Sequence, residues 1–321
     1  VAIFAATFPA AAPRRDNSFN RKGEMMNLDV ERRDFLKLAG IGSAVLASGL
    51  WKNVVFAEAG DFVFLQISDT HWGFDNPKAN PDFADTLKKE VVSINGLKVQ
   101  PDFIIFTGDL THTTDDDQER RRRLTEFRGI VAGLKNQNIK FMPGEHDASL
   151  DNGKAYKEVI GGETHYTFDH KGIHFIVLDN VSDPGAKLGQ AQLDWLAADL
   201  KKLDKAAPIV VFTHRPLFDL MPDWDWDTRD GAKAVELLTP FSNVVVFYGH
   251  IHQENHHMTG HIAHHSCKGS MYPLPAPGSV PVKAPVPWDP AAPWRGLGFR
   301  NISRSGAKYD LSEYSIQGEA V

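Results

Sequence analysis

From Asp61 onward, short apolar runs alternate with stretches in which apolar residues recur every three or four positions. Phe62 to Ile67, Phe103 to Phe106, Ile139 to Met142, Ile209 to Phe212 and Val244 to Tyr248 are short, apolar and bounded by Pro, Gly or Asp, which predicts buried strands. Leu124, Phe127, Val131 and Leu134, and further on Leu193, Leu196, Leu200 and Leu203, each fall on one face of a helix and predict a core-facing stripe. His165 to Asp169 and Ile173 to Leu178 flank a turn containing Gly172 and read as a hairpin, so the sheets are expected to be mixed. Pro273 to Pro293 is too rich in proline for helix or central strand and reads as an extended loop carrying Trp288 and Trp294, which either covers a site or crosses the surface. The alternation predicts an α/β fold without internal repeats.

Composition narrows the picture. A chain of 321 residues, 42% of them hydrophobic, can bury a sizeable core. Its net charge of -6 argues against nucleic acid as a partner, because a phosphate backbone calls for a concentrated basic face. The one basic run, Arg120 to Arg123, follows Asp115 to Asp117 in a helical pattern and reads as a solvated helix face. Cys267 is the single cysteine, which excludes an intramolecular disulfide and a cysteine-rich zinc site; it reads as a small buried residue.

The first 60 residues have a different character. Glu31-Arg32-Arg33-Asp34-Phe35-Leu36-Lys37 precedes a weakly apolar run from Leu38 to Leu50 and the small-residue stretch Ala57-Glu58-Ala59, an order that looks like a twin-arginine export signal. The apolar run falls short of the ~20 residues a membrane span needs, so no integral membrane segment is expected in the mature form. Residues 1–24, upstream of Met25-Met26, read as the product of an over-long gene prediction. The expected organisation is an extension and signal peptide over 1–60 and a single domain over 61–321, exported by the twin-arginine machinery to the bacterial periplasm or beyond.

Chemistry gathers at the ends of the predicted strands, where open α/β sheets bind ligands. The first strand runs into Ser68-Asp69-Thr70-His71, the second into Gly108-Asp109, the third into Gly144-Glu145-His146-Asp147, the fourth into Thr213-His214 and the fifth into Gly249-His250-Ile251-His252. Each block supplies a metal-ligand type, and residues two apart in extended chain point the same way. Any one block is a common accident; five in this order are not. Together they resemble the calcineurin-like metallophosphoesterases over roughly Phe62 to His265.

That resemblance implies a four-layer α/β/β/α sandwich with two central mixed sheets. It also implies two transition-metal ions, drawn from Fe, Mn, Zn or Co, with Asp69, His71 and His252 on one, Glu145, His214 and His250 on the other, and Asp109 bridging them. The implied reaction is hydrolysis of a small phosphodiester or phosphomonoester by a hydroxide shared between the ions, with His146 donating a proton to the leaving group. Asp147 would orient His146, cap the following helix, or both.

One position departs from the pattern: Glu145 stands where the family has Asn and adds a negative charge beside the metals. That charge keeps two other readings open, a catalytically weak metal- or phosphate-binding protein and an iron-pair redox protein. His112, three residues after Asp109, is either an additional ligand or support for one, or a loop histidine. Trp224 and Trp226, among the aspartates of Asp219 to Asp230, either border the substrate, favouring a cationic or sugar-bearing leaving group, or pack beneath an acidic loop. His256, His257, His261, His264 and His265 read as solvated faces of a polar hairpin.

Overall fold

A computed structural model describes residues 60–317, so the twin-arginine segment and the small-residue stretch that follows it lie outside the described residues. In chain order the elements are β1 (Phe62–Ile67), α1 (Thr86–Asn95), β2 (Phe103–Thr107), α2 (Asp117–Val131), β3 (Ile139–Met142), α3 (Glu145–Ala148), α4 (Lys154–Val159), β4 (Tyr166–His170) and β5 (Ile173–Val177). They continue with α5 (Gln190–Leu200), β6 (Pro208–Thr213), α6 (Gly231–Leu238), β7 (Asn243–Tyr248), β8 (Asn255–Thr259), β9 (Ile262–Ser266), β10 (Gly298–Ser305) and β11 (Lys308–Ser315).

The strands form two mixed sheets, ordered β11-β10-β1-β2-β3 and β4-β5-β6-β7-β9-β8. Their inner faces are packed with phenylalanine. Phe64 stacks on Phe103 at 4.9 Å and meets the ring faces of Phe175, Phe212 and Phe247 edge-on, an arrangement that the aromatic quadrupole favours. On the outside of the first sheet, Leu87, Val91 and Ile94 of α1 and Phe127 and Val131 of α2 bury against Leu65, Ile67, Ile104 and Phe106. Outside the second, Leu193, Leu196 and Leu200 of α5 and Ala234, Val235 and Leu238 of α6 cover Ile209, Val211, Val244 and Val246. The result is the four-layer α/β/β/α sandwich.

The hairpin β10–β11 has no counterpart among the elements predicted from the sequence. Its strands alternate polar with apolar residues, and the buried Arg300 of β10 donates through Nε to Glu313, its cross-strand partner on β11. Residues 273–297 contain neither helix nor strand, as expected, but they are pinned: Val286 N–H donates to Pro273 O at 2.9 Å and Trp288 N–H to Lys78 O at 2.8 Å. No helix among the described residues is long and apolar enough to cross a membrane. Cys267 is buried.

Glu90 of α1 is fully buried; its Oε1 accepts from Ser270 Oγ at 2.9 Å, while Oε2 has no hydrogen-bond partner. Burial pushes its carboxyl from 4.5 up to about 8, against the lowering effect of the Ser270 bond. The folded chain therefore holds a proton that the unfolded chain releases, so stability is full below pH 4.5 and falls as pH rises toward 8. Glu90→Gln keeps an acceptor for Ser270 and removes that dependence. Thermal unfolding is expected to show the variant more stable than the parent at about pH 9, by on the order of a few kcal/mol, with the gap closing at about pH 4. A gap independent of pH would show that Glu90 is not held neutral.

Candidate metal centre

Parallel pairing places Ile67 beside Phe106 and Thr213 beside Tyr248, so the segments leaving β1, β2, β6 and β7 emerge at neighbouring strand ends. The two sheets are tied together there. Gln66 Nε2 donates to Tyr248 O at 3.0 Å, and His250 N–H donates to Asp69 Oδ2 at 3.1 Å. Gly108, at φ +97°, and Gly144 make the approach possible: a Cβ on the first would lie 2.3 Å from His214 Nδ1, and on the second 2.0 Å from Asp109 Oδ1.

The structure brings Asp69, His71, Asp109, Glu145, His214, His250 and His252 together in two groups that share Asp109. In the first group, His71 Nε2 lies 3.1 Å from His252 Nε2 and 3.5 Å from Asp109 Oδ2, and His252 Nε2 lies 3.3 Å from Asp69 Oδ1. In the second, His214 Nε2 lies 2.8 Å from Glu145 Oε2 and 3.5 Å from Asp109 Oδ1, and His250 Nδ1 lies 2.9 Å from Glu145 Oε1. Asp109 turns one oxygen to each group.

Whether these residues suit cations can be tested on the rings themselves. His214 Nδ1 donates to Thr107 O at 2.7 Å, His250 Nε2 to Asp225 O at 2.8 Å and His252 Nδ1 to Tyr272 O at 2.6 Å. Each bond leaves a lone pair on the other ring nitrogen, aimed at a carboxylate oxygen that is also an acceptor. Glu145 Oε2, His214 Nε2, His250 Nδ1 and Asp69 Oδ1 accordingly have no hydrogen-bond partner, though all are buried. Lone pairs facing lone pairs require a cation between them, either a proton or a metal ion. Burial lowers His214, but Asp109 and Glu145 outweigh it and raise the imidazole well above its ordinary range. The backbone carries strain at the same residues: Asp69, His71, Asp109, His250 and His252 have φ between 40° and 66°, the left-handed region that side chains other than glycine rarely occupy. The donor set fits two borderline transition-metal ions.

His146 flanks the first group, its Nε2 3.9 Å from Asp109 Oδ2. Thr113 N–H donates to its Nδ1 at 3.0 Å, which places the ring's proton on Nε2, facing the centre. Arg123 of α2 fixes this loop by donating to His112 O at 2.8 Å and Thr113 O at 3.2 Å. Asp147 does not orient His146. Its oxygens accept from Leu110 N–H, Thr111 N–H, Thr111 Oγ1 and Gly144 N–H at 2.8–2.9 Å, bracing the loop after β2 against the loop before α3. Burial, aided by Asp109, raises its carboxyl to about 7. His112 stands behind His71, Nδ1 to Nδ1 at 3.4 Å, and with His71 and His146 forms a third group of possible ligands, apart from the two that share Asp109.

Two residues here escaped the sequence reading. Arg215 is buried beside its neighbour His214, with Nε 3.8 Å from Glu145 Oε2. Burial alone would raise the Glu145 carboxyl, but His250, His214 and Arg215 hold it well below the usual carboxylate range. Tyr272 puts its hydroxyl 3.2 Å from His71 Nε2 and its ring against His71 and His252. The proximity of Arg215 to His214 in sequence was a usable signal; nothing in the proline-rich segment marked Tyr272.

Several expectations need correction. Trp224 and Trp226 pack edge-to-face at 5.0 Å in a buried cluster with Tyr248 and Ile251, so neither ring faces a substrate. The later histidines are not all solvated: His264 is fully buried, and His257 stacks on Phe218 at 3.8 Å. The run Arg120 to Arg123 is only partly a solvated face, because Arg120 is buried and paired with Asp151 at 3.1 Å.

The fold and the two-group centre define a metallophosphoesterase-like architecture, and residues 62–254 match the calcineurin-like phosphoesterase family, to which the chain belongs. A serine/threonine-protein phosphatase, CPPED1 of Mus musculus, is 28% identical over 60% of this chain and 70% of its own length. A 3',5'-cyclic adenosine monophosphate phosphodiesterase, CpdA of Haemophilus influenzae, is 28% identical over 59% of this chain and 69% of its own. Among solved structures, a purple acid phosphatase from yellow lupin seeds shares the fold with a TM-score of 0.58 at 13% identity; 83% of this chain is covered, but only 53% of that longer one.

Proposed function

We propose that the protein hydrolyses a small phosphoester with two transition-metal ions. The observation that carries this reading is the convergence of unpartnered lone pairs in two groups sharing Asp109. Asp69, His71 and His252 would hold one ion, Glu145, His214 and His250 the other, and Asp109 both. When bound, such a pair supplies Lewis acidity toward a phosphoryl oxygen and an activated water. The protein's own groups do the rest. His146 presents Nε2–H to the leaving oxygen, Thr113 N–H holds that ring, and Asp147 keeps the two flanking loops in register. The purely binding alternative drew on the extra charge of Glu145. Arg215, at 3.8 Å, offsets that charge and weakens the case. The twin-arginine-like segment supports export of the protein already folded around its metals.

The test is hydrolysis of aryl phosphomonoesters and diesters by protein of measured metal content, supplied with Mn, Fe, Zn or Co. Two ions per chain are expected, with turnover abolished by a chelator and restored by re-addition. Two bound ions without turnover on either ester class would sink the hydrolase reading and leave the binding one.

A further inference from the structure

Beside the first metal group lies a buried hydroxyl, that of Tyr272. The backbone carrying it is fixed on both sides: Ser270 N–H donates to Ser68 O at 3.0 Å, Asn80 Nδ2 to Met271 O at 2.9 Å, and Tyr272 O accepts from His252 Nδ1 at 2.6 Å. The ring packs against Phe74, His71 and His252, with centroids 4.6, 4.9 and 4.4 Å away, which sets where the hydroxyl points. Its oxygen lies 3.2 Å from His71 Nε2, its one hydrogen-bond partner among the described residues. That nitrogen is also the atom His71 turns toward His252 Nε2 at 3.1 Å and Asp109 Oδ2 at 3.5 Å, and so the atom that would hold the first ion. An ion there takes the lone pair that the hydroxyl faces. A hydroxyl left buried without a partner is costly, so its oxygen needs a new one.

We propose that the Tyr272 oxygen is a fifth protein ligand of the first ion, beside Asp69, His71, Asp109 and His252. The inference rests on the two-ion part of the proposed function. Two atoms bonded to one ion at ~2.1 Å lie about 3.0 to 3.4 Å apart at bond angles between octahedral and tetrahedral. The 3.1 Å between His71 and His252 and the 3.3 Å between His252 and Asp69 fall in that range, and so does the 3.2 Å between Tyr272 and His71. A hydrogen bond accounts for the last distance only while His71 Nε2 is bare. On binding, the O–H bond of Tyr272 breaks, its proton leaves to solvent and the oxygen lone pair goes to the ion, as metal binding displaces protons from its ligands. Tyr272 then serves the group twice, its carbonyl orienting His252 and its side chain meeting the ion. A phenolate adds charge and a hard oxygen to a position that already has two carboxylates, which favours ferric iron over zinc. The family match ends at residue 254, short of this segment, and the sequence resemblance places no ligand in it.

Tyr272→Phe keeps the ring against both histidines and the carbonyl on His252, and removes only the oxygen. The full chain loaded with ferric citrate is expected to show a visible absorption band from phenolate-to-iron charge transfer, with tyrosine ring vibrations enhanced in resonance Raman spectra excited in that band. Both should vanish in Tyr272→Phe at equal iron content. Zinc titration by calorimetry gives a second readout: the variant should lose about tenfold or more in affinity at one position and less than about threefold at the other. An iron-loaded parent without the band, a variant that keeps it, or zinc affinities unchanged at both positions would overturn the assignment. Should the parent take up zinc but no ferric iron, the zinc titration alone decides. A parent that binds neither metal would instead sink the two-ion reading itself.

Discussion

Asp109→Ala is expected to empty both metal positions and remove hydrolysis, the largest effect of any single substitution. Each carboxylate oxygen faces a different group, Oδ2 at 3.5 Å from His71 Nε2 and Oδ1 at 3.5 Å from His214 Nε2. Oδ1 also accepts His146 N–H at 3.0 Å, which aligns the start of α3. Alanine removes a ligand from each group at once and frees the loop bearing Glu145 and His146. Loss of even a supporting contact to a metal ligand costs about 10- to 100-fold in affinity. Loss of a shared ligand should therefore take metal content below one ion per chain and turnover down by ~10³-fold or more. Elemental analysis decides the matter: an Asp109→Ala protein that keeps two ions would show that the groups do not share this residue.

His146→Ala should behave differently, keeping near-normal metal content while turnover falls by about 10²- to 10⁴-fold, the range for a general acid. The ring lies outside the two principal groups, with its Nε2 3.9 Å from the nearest Asp109 oxygen. The Thr113 bond assigns its proton to Nε2, so what the variant loses is a donor aimed at the centre. A leaving group that departs readily needs little protonation, and the loss should shrink along a series of aryl esters of falling phenol pKa. If every ester lost the same factor, His146 would be positioning the phosphoryl group and not protonating the alkoxide.

Much of this centre was legible because strand geometry links sequence to space in a simple way. A buried apolar run ends where its sheet ends, and Asp69, His71, His250 and His252 follow such runs directly. What stayed hidden depends on partners far along the chain. β10 and β11 look like solvent-facing polar segments until Arg300 finds Glu313. Asp147 is open in sequence between orienting His146 and capping a helix; its four bonds go to Leu110, Thr111 and Gly144, the last of them closing the N-terminus of α3, and the rest are set by packing of loops that sequence proximity does not reveal. Trp224 and Trp226 stayed open between substrate contact and packed core, because aromatic residues among acids are ambiguous between surface and core, and the packed reading holds.

The bonds joining the two sheets at Gln66 and Asp69 have a mechanical meaning. Each metal group takes residues from both sheets: Asp69, His71 and Asp109 meet His252, while Asp109 and Glu145 meet His214 and His250. An ion in either position would act as a rivet through both halves of the sandwich. Binding energy there is folding energy, and it would also hold the left-handed backbone at five of these residues in place. Deprived of its ions, the molecule would keep its phenylalanine-filled middle but come unbuttoned at one hem.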